Sequence, residues 1–209
     1  KLITPSVGQF YAIEVDMAKP YNVYGGLQDN GTWFGPSNNR ENVRWHSGGD
    51  YPFKSIGGGD GMQVQVDWRD NRTVYSGSQF GAYSRQVLGA PAAAGRGARG
   101  NSVRPSRALG ESALRFNWQS PILVSRHNQD IVYFGSNKFH RSLDKGETFQ
   151  TLSGDLTKGP KEGDVPFGTL ATLDESPKKF GLLYAGSDDG LIHISKDGGY
   201  TWTKISDAL

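Results

Sequence analysis

The 209-residue chain contains no cysteine. That excludes disulfides, thiolate metal sites and cysteine nucleophiles, and by itself leaves the compartment undecided. No apolar run approaches the roughly 20 residues that a membrane-spanning helix needs, and Lys1 does not open a charged-then-apolar leader. A dominant charge of one sign is also missing. With 23 Lys and Arg against 21 Asp and Glu, the net charge of +2 is too small to argue for a nucleic-acid partner. His46, His127, His140 and His193 are scattered, and no Asp-x-Asp-x-Asp-Gly calcium loop occurs. No metal centre and no cofactor are therefore expected. Long stretches with a 3.6-residue apolar period are absent as well.

What the chain does have is glycine, 29 residues of it, with 11% aromatics and 35% hydrophobic residues, enough for a sizeable core. An all-β fold with many tight turns follows. One phrase occurs twice, 53 residues apart: Ser142-Leu-Asp144-Lys-Gly146-Glu-Thr-Phe149 and Ser195-Lys-Asp197-Gly-Gly199-Tyr-Thr-Trp202. Ser and Asp side chains bond backbone N–H groups within a tight turn, glycine supplies the positive φ, and the closing aromatic starts a buried strand.

A longer frame carries the repeat. Ala12-Ile-Glu-Val15-Asp16 precedes Val23-Tyr24-Gly25, and Met62-Gln-Val64-Gln-Val66-Asp67 precedes Val74-Tyr75-Ser-Gly77. Ile122-Leu-Val124-Ser125 precedes Val132-Tyr133-Phe-Gly135, and Leu170-Ala-Thr-Leu173-Asp174 precedes Leu183-Tyr184-Ala-Gly186. The tyrosines lie 51, 58 and 51 residues apart. A third strand follows, as in Tyr83-Ser-Arg85, Phe139-His-Arg141 and Ile192-His-Ile194. A four-stranded unit repeated at about 50 residues is the pattern of a β-propeller blade. Four blades are visible, with repeats near 8–50, 58–90, 117–157 and 166–206 across a single unit of 1–209. An open array of four would leave two sheet faces bare, so the chain reads as a segment of a larger propeller.

The double phrase resembles the Asp box of bacterial-neuraminidase-type repeat propellers. Four more stretches carry a closer likeness: Tyr24-Gly-Gly-Leu-Gln-Asp-Asn-Gly-Thr-Trp33, Gly57-Gly-Gly-Asp60-Gly61, Arg115-Phe-Asn-Trp-Gln-Ser-Pro121 and Leu152-Ser-Gly-Asp155-Leu-Thr157. In these the chain is similar to a bacterial group labelled glycosyl-hydrolase-like, related to the sortilin-type propeller. The resemblance implies a propeller fold, and the expected setting is bacterial and extracellular or periplasmic. The hydrolase label rests on analogy of fold, which carries no chemistry.

Propeller geometry nominates a site. The turns between second and third strands and the lead-ins to the first strands open on one face, with the Asp boxes on the other. Gln28, Asp29, Asn30, Gln79, Asp188 and Asp189 stand in such turns, and Asp60, Trp118 and Gln119 in lead-ins. Converging on one mouth, they could hold sugar hydroxyls or a peptide. Each also has a structural reading: Asp29-Asn-Gly31 and Asp188-Asp-Gly190 form turns readily, and Trp118 can serve packing. Ser142, Asp144, Gly146, Phe149, Ser195, Asp197, Gly199 and Trp202 are expected to be structural.

Two functions are open. One is a non-catalytic binding or scaffold propeller that recognises a peptide, glycan or partner subunit at the mouth. The other is a glycoside hydrolase, which needs two carboxyl groups about 5–10 Å apart across a cleft. A neuraminidase would need an Arg triad and a Tyr nucleophile, and neither can be assigned. Gly95-Arg-Gly-Ala-Arg-Gly100 has dinucleotide-type glycine spacing without the strand and helix that give it meaning. It lies in an insertion, 86–114, whose Arg96, Arg99, Arg104 and Arg107 make it a candidate contact arm for an acidic partner or neighbouring subunit.

Overall fold

A computed structural model of the protein describes residues 8–40, 42–49, 51–90 and 100–208. It is a four-blade β-propeller, each blade a four-stranded antiparallel sheet in sequential order. Blade 1 comprises β1 (Phe10–Val15), β2 (Asn22–Leu27), β3 (Gly31–Pro36) and β4 (Lys54–Gly57), with a short helix, Val43–Gly48, between β3 and β4. Blade 2 comprises β5 (Val64–Val66), β6 (Thr73–Ser78), β7 (Ala82–Val87) and β8 (Asn101–Ser102). Blade 3 comprises β9 (Ile122–Val124), β10 (Val132–Gly135), β11 (Phe139–Ser142) and β12 (Gln150–Thr151). Blade 4 comprises β13 (Leu170–Glu175), β14 (Leu183–Ser187), β15 (Ile192–Ser195) and β16 (Thr203–Lys204). No helix among the described residues is long and apolar enough to cross a membrane.

The innermost strands pack in the order β1, β5, β9, β13. Burial is concentrated at the three joints between blades. Tyr24 of blade 1 meets Val64, Val66 and Val74 of blade 2. Tyr75 and Tyr83 of blade 2 meet Ile122, Val124 and Val132 of blade 3. Tyr133 and Phe139 of blade 3 meet Leu170 and Leu183 of blade 4. Tyr24, Tyr75 and Tyr133 thus face the following blade, while Val74, Val132 and Leu183, each just before a repeat tyrosine, face the preceding one, as period-2 alternation requires.

The structure departs from the repeat frame in three places. Tyr184, by its place in the repeat a core residue, is 37% exposed, against 0–1% for Tyr24, Tyr75 and Tyr133. No fifth sheet among the described residues lies over it. The stretch 86–114, read as an insertion outside the repeat, contributes β8, the outer strand of blade 2. A two-residue strand in a Gly-Asn-Ser context carries no alternation by which a sequence could announce it. Likewise β4 falls beyond the 8–50 repeat.

Candidate functional site

The second-to-third turns and first-strand lead-ins do meet on one face, held by hydrogen bonds between blades. The Asp29 amide donates to Asp60 Oδ1 (2.6 Å), joining blade 1 to the lead-in of blade 2. The other oxygen of Asp60 accepts from the Gln79 side-chain amide. Next to Gln79, the Phe80 amide donates to the Trp118 carbonyl (3.1 Å), and the two rings meet edge-on at 5.2 Å. Trp118 is therefore half-buried as a packing residue at the blade 2–3 joint.

Blades 3 and 4 continue the band. The Gly168 and Thr169 amides donate to Asp188 Oδ1 (both 3.1 Å) and the Thr169 hydroxyl to Asp188 Oδ2 (2.7 Å). Asn117 Nδ2 donates to Thr169 Oγ1 at 2.9 Å and lies 3.5 Å from Asp188 Oδ2. Asp189 accepts from the Lys158 amide (2.6 Å) and the Ser187 hydroxyl (2.5 Å). Asn117 also fixes the Gln119 backbone, its Oδ1 accepting from the Gln119 amide (3.0 Å).

The nominated residues therefore sit together, but three carboxylates, Asp60, Asp188 and Asp189, have both oxygens engaged by turn and lead-in donors. A carboxylate so engaged positions backbone and is poorly placed to trade protons with a substrate. Asp29 and Asn30 are exposed, Gln28 and Gln119 half-buried. The Asn30 amide group donates to the Gln28 carbonyl (2.9 Å).

Arg115, in the lead-in to blade 3, anchors the same band. Arg115 donates through Nε to the Gly168 carbonyl (3.0 Å) and through Nη2 to Asp155 Oδ2 (2.7 Å) and Thr157 Oγ1 (3.1 Å). Asp155 also accepts from Asn137 Nδ2 (3.0 Å). Burial opposes its ionisation, yet the Thr157, Arg115 and Asn137 donors outweigh that and hold it below the usual carboxylate range.

The opposite face carries the two Ser-x-Asp-x-Gly turns. The Ser142 hydroxyl donates to Asp144 Oδ1 (2.7 Å) and accepts from the Gly146 amide (2.8 Å). Asp144 accepts from the Thr148 amide (2.8 Å) and hydroxyl (2.6 Å). Ser195, Asp197, Gly199 and Thr201 repeat the arrangement at 2.8, 2.9, 2.9 and 2.6 Å. For Asp144, partial burial works against ionisation, but these donors prevail and lower its pKa to about 2. Thr201 and Ser195 donors lower Asp197 likewise, to about 2. Phe149 packs edge-on against Phe134 (5.9 Å) and Trp202 against Phe139 (4.9 Å).

Each Ser-x-Asp-x-Gly turn is also a socket for the preceding blade. Arg85 of β7 donates to the Lys145 carbonyl (2.8 Å) and pairs with Glu147. Arg141 of β11 donates to the Gly198 carbonyl (3.0 Å) and the Tyr200 hydroxyl (2.8 Å), its guanidinium 4.8 Å from the Tyr200 ring centroid. These arginines stand directly opposite Tyr75 and Tyr133 in the β6–β7 and β10–β11 pairings. The signal was present in Tyr83-Ser-Arg85 and Phe139-His-Arg141, but the acceptors lie about a repeat away in sequence.

At the end of the first strands, away from the mouth, a small cleft is lined by Glu14, Gln65, Trp68, Arg126 and Gln129. Burial pushes the Glu14 carboxyl up, against the Val15 amide and the Arg126 charge. Of the expected contact arm, Arg96 and Arg99 lie outside the described residues. Arg104 covers the Phe116 ring at 4.3 Å, and Arg107 donates to the Glu111 carbonyl (3.0 Å).

No protein-family model matches the chain, and no curated protein matches it. Among solved structures, the chain is similar to the β-propeller domain of Cps50 (Swd1) from Myceliophteria thermophila. The identity is 13% and the TM-score 0.53, with 90% of this chain and 54% of that one covered. It also matches the computationally designed Ika4 protein at 16% identity and a TM-score of 0.46, over 90% of this chain and 92% of that one. The chain thus has a β-propeller fold and spans about half the length of the Swd1 domain.

Proposed function

We propose that the protein is a non-catalytic binding or scaffold propeller of the Asp-box type, akin to the sortilin-type group, recognising a peptide, glycan or partner subunit at the channel mouth. A propeller fold is compatible with a binding or scaffold role. The observation that supports this reading over hydrolysis is the engagement of both carboxylate oxygens of Asp60, Asp188 and Asp189 by turn and lead-in donors. A glycosidase acid and base must both be free to meet the scissile bond. The groups left to greet a ligand are Gln28, Asp29, Asn30 and Gln119, an amide-rich set suited to hydroxyl and peptide groups. An extracellular or periplasmic setting, and a ring larger than four blades, belong to the same proposal.

The test is paired. Glycan and peptide arrays probed with the wild type and with a Asp29→Ala/Gln119→Ala variant should show a ligand class whose signal falls at least about tenfold in the variant, the loss of one or two hydrogen bonds. Aryl-glycoside substrates should show no turnover. Turnover that Asp60→Asn abolishes, in a variant that keeps its melting temperature, would overturn the reading.

A further inference from the structure

Among the described residues, two sheet faces of the propeller are uncovered, and their composition says what each is built to meet. Strand pairing aligns Ile13, Val15 and Val23 of blade 1 with Val64, Val66 and Val74 of blade 2. In blade 2 this face turns toward the preceding blade, and the three residues are 3%, 4% and 0% exposed. In blade 1 Ile13 is 63% exposed and Val15 and Val23 are only half-buried. Tyr184 of blade 4 occupies the place of the three buried tyrosines that face a following blade, and it too is exposed.

The residue opposite each tyrosine in the third strand distinguishes two kinds of joint. Arg85 opposite Tyr75, and Arg141 opposite Tyr133, precede blades that carry an Asp box, and each arginine donates into that box. Phe34 opposite Tyr24 stacks on it at 5.5 Å and precedes blade 2, which has none. Ile194 stands opposite Tyr184. Its apolar side chain belongs with the second kind, so blade 4 is shaped for a following blade that has an aliphatic near face and no Asp box. Blade 1 of this chain meets both conditions: its near face is Ile13, Val15 and Val23, and residues 37–53 between β3 and β4 contain no Ser-x-Asp-x-Gly.

We propose that blade 4 receives blade 1 of a second copy, head to tail. The two joints this creates are equivalent, and they close a two-fold dimer with eight blades. Within one copy β13 and β1 do not pack together as the other neighbouring inner strands do.

Sedimentation velocity on the 209-residue protein tests it. The 22.8 kDa chain should sediment as a dimer. Ile13→Glu and Tyr184→Glu each place a charge in both joints and should weaken the dimer by about 100-fold or more. Circular dichroism should show both variants folded, because each position is exposed within a single copy. Mixing the two variants in equal amounts should restore a dimer, since one of its two joints then lacks both substitutions. A wild type that stays monomeric, as it would if its own blade 1 closed on blade 4, overturns the proposal. So does a dimer indifferent to both substitutions, or a mixture that fails to associate.

Discussion

Placing a methyl group on Gly199 tests whether the Ser195–Trp202 turn joins blades as well as closing on itself. Gly199 has φ 98° and stands against the preceding blade: a Cβ there would lie 2.4 Å from Phe139 Cε1 and 3.0 Å from Cδ1. Ordinary carbon contact begins near 3.5 Å. Phe139 has nowhere to retreat, being 0% exposed between Tyr133 (5.6 Å) and Trp202 (4.9 Å). Gly199→Ala therefore costs about 1–2 kcal/mol for the left-handed backbone and about 1–3 kcal/mol for overpacking, roughly 3 kcal/mol together. Gly190 provides the control. Its φ is 85°, and a Cβ there meets nothing within 4 Å, so Gly190→Ala bears only the backbone cost, about 1 kcal/mol. Urea unfolding followed by tryptophan fluorescence, at a slope of about 2 kcal/mol/M, should separate the midpoints of the two variants by about 1 M. A Phe139→Leu background should recover part of the Gly199→Ala loss, since the branched side chain ends short of the ring atoms in conflict. Equal midpoints for the two alanine variants would refute the joint role, leaving Gly199 as a turn residue only.

The other expectations concern local chemistry. His140 is fully buried between the Ser136 hydroxyl (2.7 Å) and the Thr151 hydroxyl (2.9 Å), and burial lowers its pKa to about 4. The folded state then binds the proton less tightly than the unfolded chain, so stability is full above about pH 6.5 and falls as pH drops from there toward 4, by roughly 3 kcal/mol. Urea midpoints at pH 7 and pH 4.5 should show this drop, and His140→Gln should shrink it; an undiminished drop in the variant assigns it elsewhere. Asp144→Ala removes the acceptor for Ser142 and for both Thr148 donors and should cost about 1 kcal/mol in thermal unfolding. Since Asp144 lies on the face away from the mouth, ligand capture on the arrays should survive; its loss at unchanged stability would make the Ser142–Phe149 turn a binding site.

The repeat was legible because its determinants are local. Ser142 to Phe149 is eight residues whose donors and acceptors satisfy one another, and the alternation in Val64-Gln-Val66 sets one face toward a neighbour whatever that neighbour is. Four copies in phase then specify a radial array of sheets. The gathering of Asp29, Asp60, Gln79, Trp118 and Asp188 on one face also followed from the blade frame. What that frame left open was the use of each group, because its partners lie in other repeats. Asp60 looks like a free carboxylate until the Asp29 amide, 31 residues away, is seen to occupy it. Arg85 and Arg141 look like solvated strand residues until the boxes 60 and 57 residues onward receive them. Tyr184 has the same local sequence context as Tyr133, yet one is sealed and the other open, because burial depends on the presence of a following sheet. Turn chemistry and strand period act within a few bonds of the residue that encodes them. Desolvation and hydrogen-bond saturation act through space, and only the packed blades bring together the atoms that decide them.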